Sequence, residues 1–205
     1  MALRPVLFRS VLVPAVLISL AVPLVVGAPP AGAAPAATTT RTAVASWVGT
    51  GPGAPGVSLQ VIEQSGPFSS NISFLASENY CDTTSNTAVF LSYFASGPTT
   101  NVLFTVAPNL GTAVLIAPRL SVNFTEKTAP ECNTNGSDLA TVVSGPRNIA
   151  LLGLWRAAGP ATPGFPGEVV RPASAALFAS APPPLRLTNL GTPTFAQISQ
   201  YTAPQ

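Results

Sequence analysis

The stretch Val102-Leu-Phe-Thr-Val-Ala-Pro-Asn-Leu-Gly-Thr-Ala-Val-Leu-Ile-Ala117 indicates how this chain folds. In its first half Val102, Phe104 and Val106 recur with a period of two, which is the period of a β-strand with one buried face. The turn residues Pro108-Asn-Leu-Gly-Thr112 follow and lead into a second apolar run. The stretch therefore predicts a β-hairpin, two antiparallel strands joined by a short turn.

The same alternation continues on both sides of this hairpin. Gly/Pro turns such as Ser96-Gly-Pro98 and Ser144-Gly-Pro146 separate the apolar runs. No long stretch has helical periodicity, although Pro172 could begin a short helix over Arg171–Ala179. About ten short strands predict an all-β fold, a single antiparallel β-sandwich, with a β-barrel as the runner-up. Besides Val102–Val106, the predicted strands are Thr42–Val48, Val57–Val61, Ile72–Ser77, Val89–Tyr93, Ala113–Ala117, Ser121–Thr125, Leu139–Val143, Ile149–Trp155, Val169–Arg171, Ala173–Ala179, Leu185–Leu187 and Thr194–Ser199.

Two of these runs are apolar at every position. They are Ala113–Ala117 and Ile149–Trp155, whose outward residues are as apolar as their inward ones. Continuous apolar runs are typical of strands that are covered on both faces. We therefore expect these two strands to be central in the sheet and their outer faces to be covered.

The N-terminal residues resemble a secretory signal. Arg4 and Arg9 precede the apolar run Val11–Val26, and Ala31-Gly-Ala33 follows it. A basic start, an apolar run and a small-residue A-x-A site are the three parts of a signal peptide. The prediction divides the chain into a signal peptide at 1–34, a flexible Ala/Pro/Thr leader at 35–40, the β-sandwich domain at 41–202 and a frayed tail at 203–205. We expect a secreted, extracellular protein, or one that stays with the cell envelope, with no membrane span in the mature chain.

Composition excludes several classes of function. The chain of 205 residues has no histidine, so catalysis by Ser-His-Asp or Cys-His and zinc binding through histidine are excluded. Arg4 and Arg9 fall in the predicted signal peptide, and without them the basic residues equal the seven acidic ones. Lys127 and dispersed arginines form no basic patch, which excludes nucleic acid as a partner. The arginine, alanine and proline bias is typical of a high-G+C bacterial genome.

The two cysteines, Cys81 and Cys132, predict one disulfide, because an even number of cysteines in a secreted chain indicates that they form disulfides. Such a disulfide would bring together the loops that carry four acidic residues. Carboxylate oxygens suit Ca²⁺, so calcium is the one cofactor that we consider, against the alternative of solvated loop acids. The candidate ligands are Glu78, Asp82, Glu131 and Asp138.

The only two tryptophans, Trp47 and Trp155, each begin the pattern W-x3-G-P-x2-P-G. A duplicated half with paired binding loops is one interpretation, and chance in a chain rich in Gly and Pro is the other. Exposed aromatic rings beside charged groups are typical of sugar-binding surfaces, whereas tryptophans at strand ends often fill the core. The candidate ligand-binding residues are Trp47, Trp155, Arg156 and Tyr80.

These observations favour a secreted, non-catalytic binding or structural module that acts on a cell surface, a polysaccharide or an extracellular protein. Low charge suits recognition by shape and apolar contact. One alternative is a carboxylate-based or calcium-assisted hydrolase, which would need a close carboxylate pair in a cleft. Another is a secreted inhibitor or adhesion factor, which would offer a rigid, protruding loop such as Gly159–Gly167.

Overall fold

The computed structural model describes residues 38–49, 55–63, 70–132, 139–180 and 190–203 of the chain. These ranges contain ten β-strands and no helix. The predicted signal peptide and the predicted strand Leu185–Leu187 lie outside the described residues. The strands are β1 Thr39–Val48, β2 Gly56–Glu63, β3 Ser70–Asp82, β4 Thr87–Thr99, β5 Leu103–Val106, β6 Thr112–Ala129, β7 Ala140–Ala157, β8 Thr162–Pro163, β9 Glu168–Ser180 and β10 Phe195–Thr202.

All ten strands belong to one antiparallel sheet, which confirms the predicted all-β class. The order of neighbours is β10-β1-β2-β3-β4-β6-β7-β9, and the first half of β9 pairs again with β10. The sheet therefore closes on itself, although it is not a regular barrel. β5 and β4 pair with successive halves of β6, and the pairing of β9 with β10 ends at Pro172. The single curled sheet thus shares features with both architectures considered from the sequence, the sandwich and the barrel.

Some strands are longer than the sequence predicts because the expected breaks do not interrupt pairing. β6 joins two predicted strands across a β-bulge between Ala117 and Leu120, where the register with β7 shifts. β7 runs through Ser144-Gly-Pro146, which the sequence predicts as a strand end. Gly145 and Pro146 keep their partners on β6. β7 pairs with β9 only from Ala150 onward, so Pro146 lies on an edge of the sheet. Strands tolerate proline at such an edge, so a Gly-Pro pair alone does not fix a strand boundary.

β9 joins the two predicted strands Val169–Arg171 and Ala173–Ala179 into one, and the short helix that Pro172 could begin does not form. The segment Arg171–Ala179, where a short helix was one possibility, is extended and pairs with β10 and then with β7. Pairing from two sides supplies the backbone hydrogen bonds that an isolated alanine-rich helix would make internally. Tertiary context therefore overrides the helix propensity of the alanines.

The core lies inside the curled sheet and follows the alternation read from the sequence. On β3, Ile72, Phe74 and Ala76 are buried, while Leu75 between them is exposed. Burying one large apolar side chain contributes about 1.5 to 3 kcal/mol, so the inward residues supply most of the stabilisation. The largest fully buried side chains are Trp47, Trp155, Tyr93, Phe74, Phe124, Leu59, Ile72, Leu91, Leu115, Leu120, Ile149 and Ile198.

Trp155 connects β7 with β1. Its indole Nε1 donates a hydrogen bond of 3.1 Å to the backbone carbonyl of Val44. Gly153, two residues earlier, makes room for this ring, because a Cβ there would lie 2.7 Å from two of its atoms. Trp47 is equally buried, but its Nε1 finds no hydrogen-bond partner among the described residues. The two tryptophans therefore differ in what they contribute to the core.

The chain ends are paired further than the sequence predicts. Thr39 and Thr40, which fall in the predicted flexible leader, belong to β1 and pair with Thr202 and Tyr201 of β10. The amide of Ala203, in the predicted frayed tail, donates to the carbonyl of Thr38 at 3.0 Å. The pairing of β1 with β10 thus extends to the ends of the described chain.

The predicted disulfide is confirmed. Cys81 at the end of β3 and Cys132 just after β6 are bonded, with their Cα atoms 5.3 Å apart. β3 and β6 are both neighbours of β4, so the disulfide connects two strands across a third. It closes a loop of 51 residues in sequence separation.

We predict that Trp155→Phe lowers the free energy of unfolding more than Trp47→Phe does, by about 1 to 2 kcal/mol. Both changes remove similar volume, but only the first removes a hydrogen bond, the one from the indole to the Val44 carbonyl. Reversible urea unfolding of both variants measures the difference. Equal losses would show that the Trp155 hydrogen bond adds nothing to stability.

We predict that replacing both cysteines, Cys81→Ser with Cys132→Ser, lowers the free energy of unfolding by about 4 kcal/mol in the chain-entropy account. Urea unfolding of the oxidised protein and of the double variant measures this loss. Dithiothreitol should move the wild-type curve onto that of the variant and leave the variant unchanged. Coincident curves before reduction would contradict the prediction.

Candidate functional site

An exposed apolar row crosses the outer face of four neighbouring strands. Ile116 of β6 pairs with Leu103 of β5 on one side and with Leu152 of β7 on the other, and Leu152 pairs with Phe178 of β9. The exposed fractions of Leu103, Ile116, Leu152 and Phe178 are 44%, 42%, 37% and 59%. Directly paired side chains on one face touch or nearly touch, so these four form one continuous apolar surface.

A second apolar row lies beside the first. Val114 of β6 pairs with Leu154 of β7, and Leu154 pairs with Ala176 of β9. Leu154 and Ala176 are exposed and Val114 is half-buried. We call the two rows together the apolar band; its residues are Leu103, Val114, Ile116, Leu152, Leu154, Ala176 and Phe178.

The apolar band contradicts one expectation from the sequence. The runs Ala113–Ala117 and Ile149–Trp155 predict strands covered on both faces, and both runs do lie inside the sheet. Their large outward residues Ile116, Leu152 and Leu154 are nevertheless exposed, because a sheet that closes around its own core leaves its outer face to the solvent. A contiguous exposed apolar patch on a folded protein commonly marks an interaction surface.

The charges around the apolar band have one sign. Arg156 lies at one end, in the row of Thr112 and Ser174, and it is exposed. Arg119 lies at the other end, exposed at the β-bulge of β6. About seven residues of strand separate Thr112 from Arg119, which is roughly 23 Å. No acidic residue occupies an outward position of these rows in the described strands, so the band is apolar in its middle and positive at both ends.

The predicted binding residues do not form one site. Trp47 and Trp155 are buried, because both occupy inward positions of their strands. Arg156, next to Trp155, points to the outer face and borders the apolar band. Five steps through the sheet lead from β1 to β7, so these two strands run in opposite directions. β1 and β7 therefore leave the sheet in opposite directions after their tryptophans, and residues 50–54, which belong to the first repeated segment, lie outside the described part.

The predicted acidic cluster is only partly described. Both oxygens of the Asp82 carboxylate close the turn between β3 and β4: one accepts from the Thr84 amide at 3.0 Å, the other from the Ser85 hydroxyl at 2.8 Å. The hydrogen bond from Ser85, and then that from Thr84, lowers the pKa of Asp82. Asp138 is outside the described ranges. Within those ranges no group of three or more acidic or cysteine side chains is placed to hold a metal, and calcium stays a prediction.

Glu78 and Tyr80 lie near the disulfide at the end of β3. Glu78 is buried, and one of its carboxylate oxygens has no hydrogen-bond partner in the described residues. Its neighbour Leu91 on β4 pairs in turn with Glu126 on β6. Glu78 and Glu126 therefore share one inward row, with a leucine between them, and the hydrolase alternative stays a prediction. Tyr80, further along β3, is partly exposed.

An aromatic cluster that the sequence analysis does not predict lies beside the row of Glu78 and Glu126. The rings of Tyr93 and Phe124 have their centroids 4.8 Å apart. The guanidinium of Arg147 lies over the Phe124 ring, 3.9 Å from its centroid. A cation over an aromatic face contributes about 0.5 to 2 kcal/mol, so this contact stabilises the end of the core. Alternation indicates that Tyr93 and Phe124 point inward, but it gives no sign of the Arg147 contact.

In the part of the chain that the structure describes, no helix has the length and apolar character needed to cross a membrane. No protein-family model matches the chain, no curated protein matches it, and no solved structure matches it.

Proposed function

We propose that this protein is a secreted, non-catalytic binding module that contacts an extracellular protein through the apolar band. One observation carries the proposal: four neighbouring strands present directly paired, exposed apolar side chains, Leu103, Ile116, Leu152 and Phe178. Secretion is supported by the signal-like N-terminus and by the disulfide, since disulfides persist in oxidising compartments.

The energetics favour an interface. The side chains of the apolar band sit on paired strands, so binding would restrict them less than it would restrict a flexible loop. Each square ångström of apolar surface removed from water contributes roughly 25 cal/mol. Truncating a well-buried interface side chain typically costs more than about 1 kcal/mol at the few positions that dominate binding. Ile116 and Leu152, which are paired with each other on the two central strands of the band, are the best candidates for such positions.

The chemistry of the apolar band favours a protein over a polysaccharide. Sugar-binding faces combine aromatic rings with amides and carboxylates, whereas the band holds one ring, Phe178, and neither an amide nor an acid. A partner surface that is apolar in the middle and carries carboxylates at its rim would complement both the band and the arginines at its ends. A second copy of the same chain would instead bring Arg119 and Arg156 near like charges, which disfavours self-association.

We predict that Ile116→Thr and Leu152→Thr together weaken binding to the partner by at least about tenfold, which corresponds to about 1.4 kcal/mol. The probe is a single protein recovered from the culture fluid of the producing cells and then purified. Matched controls are Leu75→Thr and Phe94→Thr, which remove equally exposed side chains, 44% and 45%, from another part of the outer face. All four sites are exposed, so the folded state should be retained.

The charge part of the proposal has its own test. Arg119→Glu and Arg156→Glu should slow association and reduce its dependence on salt, because rim charges act mainly on the association rate. Surface plasmon resonance with the purified partner measures both effects.

Unchanged affinity in the Ile116/Leu152 double variant, or an equal loss in the Leu75/Phe94 control, would overturn the proposed contact surface.

A further inference from the structure

Phe165 has the most exposed large apolar side chain of the described residues, with 82% of its surface open to solvent. It lies in the loop between β7 and β9, in the sequence Pro163-Gly-Phe-Pro-Gly-Glu168. An isolated exposed apolar residue on a flexible loop needs no explanation. The backbone of this loop, however, is held by hydrogen bonds at several points. An exposed aromatic ring on a fixed backbone does call for an explanation.

The turn that carries Phe165 is closed by the backbone. The amide of Glu168 donates to the carbonyl of Phe165 at 2.7 Å. Pro166 and Gly167 occupy the two middle positions, and Gly167 has a φ of 84°. Proline followed by a residue of positive φ is the pattern of a type II turn. A side chain at Gly167 would also place its Cβ 2.6 Å from the carbonyl oxygen of Thr202, so only glycine fits there.

Hydrogen bonds brace the turn from both sides. The amide of Phe165 itself donates to a carboxylate oxygen of Glu168 at 3.3 Å, and the amide of Gly164 donates to the backbone carbonyl of Glu168 at 3.0 Å. The carbonyl of Gly167 accepts from the amide of Thr202 at 2.9 Å, which fixes the turn to β10. These contacts hold the backbone of Phe165 and leave its ring in the solvent.

The base of the loop is equally fixed. β8 pairs with β9, with Thr162 opposite Val170 and Pro163 opposite Val169. Arg171 donates from Nε to the carbonyl of Gly159 and from Nη1 to the carbonyl of Asn109, both at 2.8 Å. One side chain thus connects this loop with the hairpin between β5 and β6.

We infer that Phe165 is an anchor that inserts its ring into an apolar pocket of a second extracellular protein. An aromatic side chain on a backbone already held in one conformation loses little conformational freedom on binding, and such residues dominate many interfaces. The only charged side chain of the turn, Glu168, accepts a hydrogen bond within the loop. This contact turns the Glu168 carboxylate back to the Phe165 amide, so the ring is the group that projects from the turn, and the partner site that it fits is an apolar pocket about one ring wide. This inference does not rest on the apolar band, because Phe165 lies in a different part of the fold.

The test places a photo-crosslinking residue at the tip. The chain with Phe165→p-benzoylphenylalanine is irradiated in the culture fluid of the producing cells, and adducts are identified by mass spectrometry. Its matched control is Phe94→p-benzoylphenylalanine, on the outer face of β4. We expect one protein adduct from position 165 and none from position 94. Wild-type chain in tenfold excess should suppress the adduct, and Phe165→Ala chain in the same excess should not.

A second variant tests the role of the rigid turn. Gly167→Ala keeps the Phe165 ring but cannot keep the turn, so it should compete several-fold less well than the wild type while urea unfolding shows that it folds. Competition by Ile116→Thr with Leu152→Thr separates the two proposals: this variant should suppress the adduct as well as the wild type does. No adduct from position 165, an adduct with the chain itself, or equal suppression by Phe165→Ala would overturn the inference.

Discussion

The pairing of β9 with β10 is the constraint on which the rest of the structure depends. It joins the last strands of the chain and, through β10, connects β9 with β1, so that the sheet surrounds its own core. Most inward positions are then apolar, and the inward apolar residues form one continuous buried cluster. A sheet closed in this way needs no covering layer on its outer face. Apolar residues on that face, such as Ile116 and Leu152, are therefore not required for folding.

The fold class could be predicted from the sequence because it depends on local patterns. Alternation of apolar and polar residues identifies strands such as β3 and β4, and the cysteine count identifies the disulfide. Closure could not be predicted, because the pairing of Gln197 with Pro172 joins segments whose patterns say nothing about their neighbours. The bulge at Ala117 and the continuous strand through Gly145 also depend on tertiary pairing, which a local pattern does not contain.

The binding residues show why residue type alone does not identify a site. The prediction weighed Trp47 and Trp155 as exposed rings against rings in the core, and inward alternation places both in the core. Arg156 lies beside the apolar band because it is adjacent in sequence to an inward residue. The sequence contained the signal of the band itself, in runs that are apolar at every position. These runs predict a face that is covered within the chain, whereas we propose that a partner covers it.

Hydroxyl-radical footprinting tests the central claim, which is that a partner covers the apolar band in the protein's native extracellular medium. Phe178, Leu152 and Ile116 would be compared in the culture fluid of the producing cells and in the purified protein, with Phe94 and Leu75 as internal references. Our account predicts that oxidation of the three band residues is several-fold lower in the culture fluid, while the references are unchanged. Equal oxidation of the band residues in both samples would contradict it.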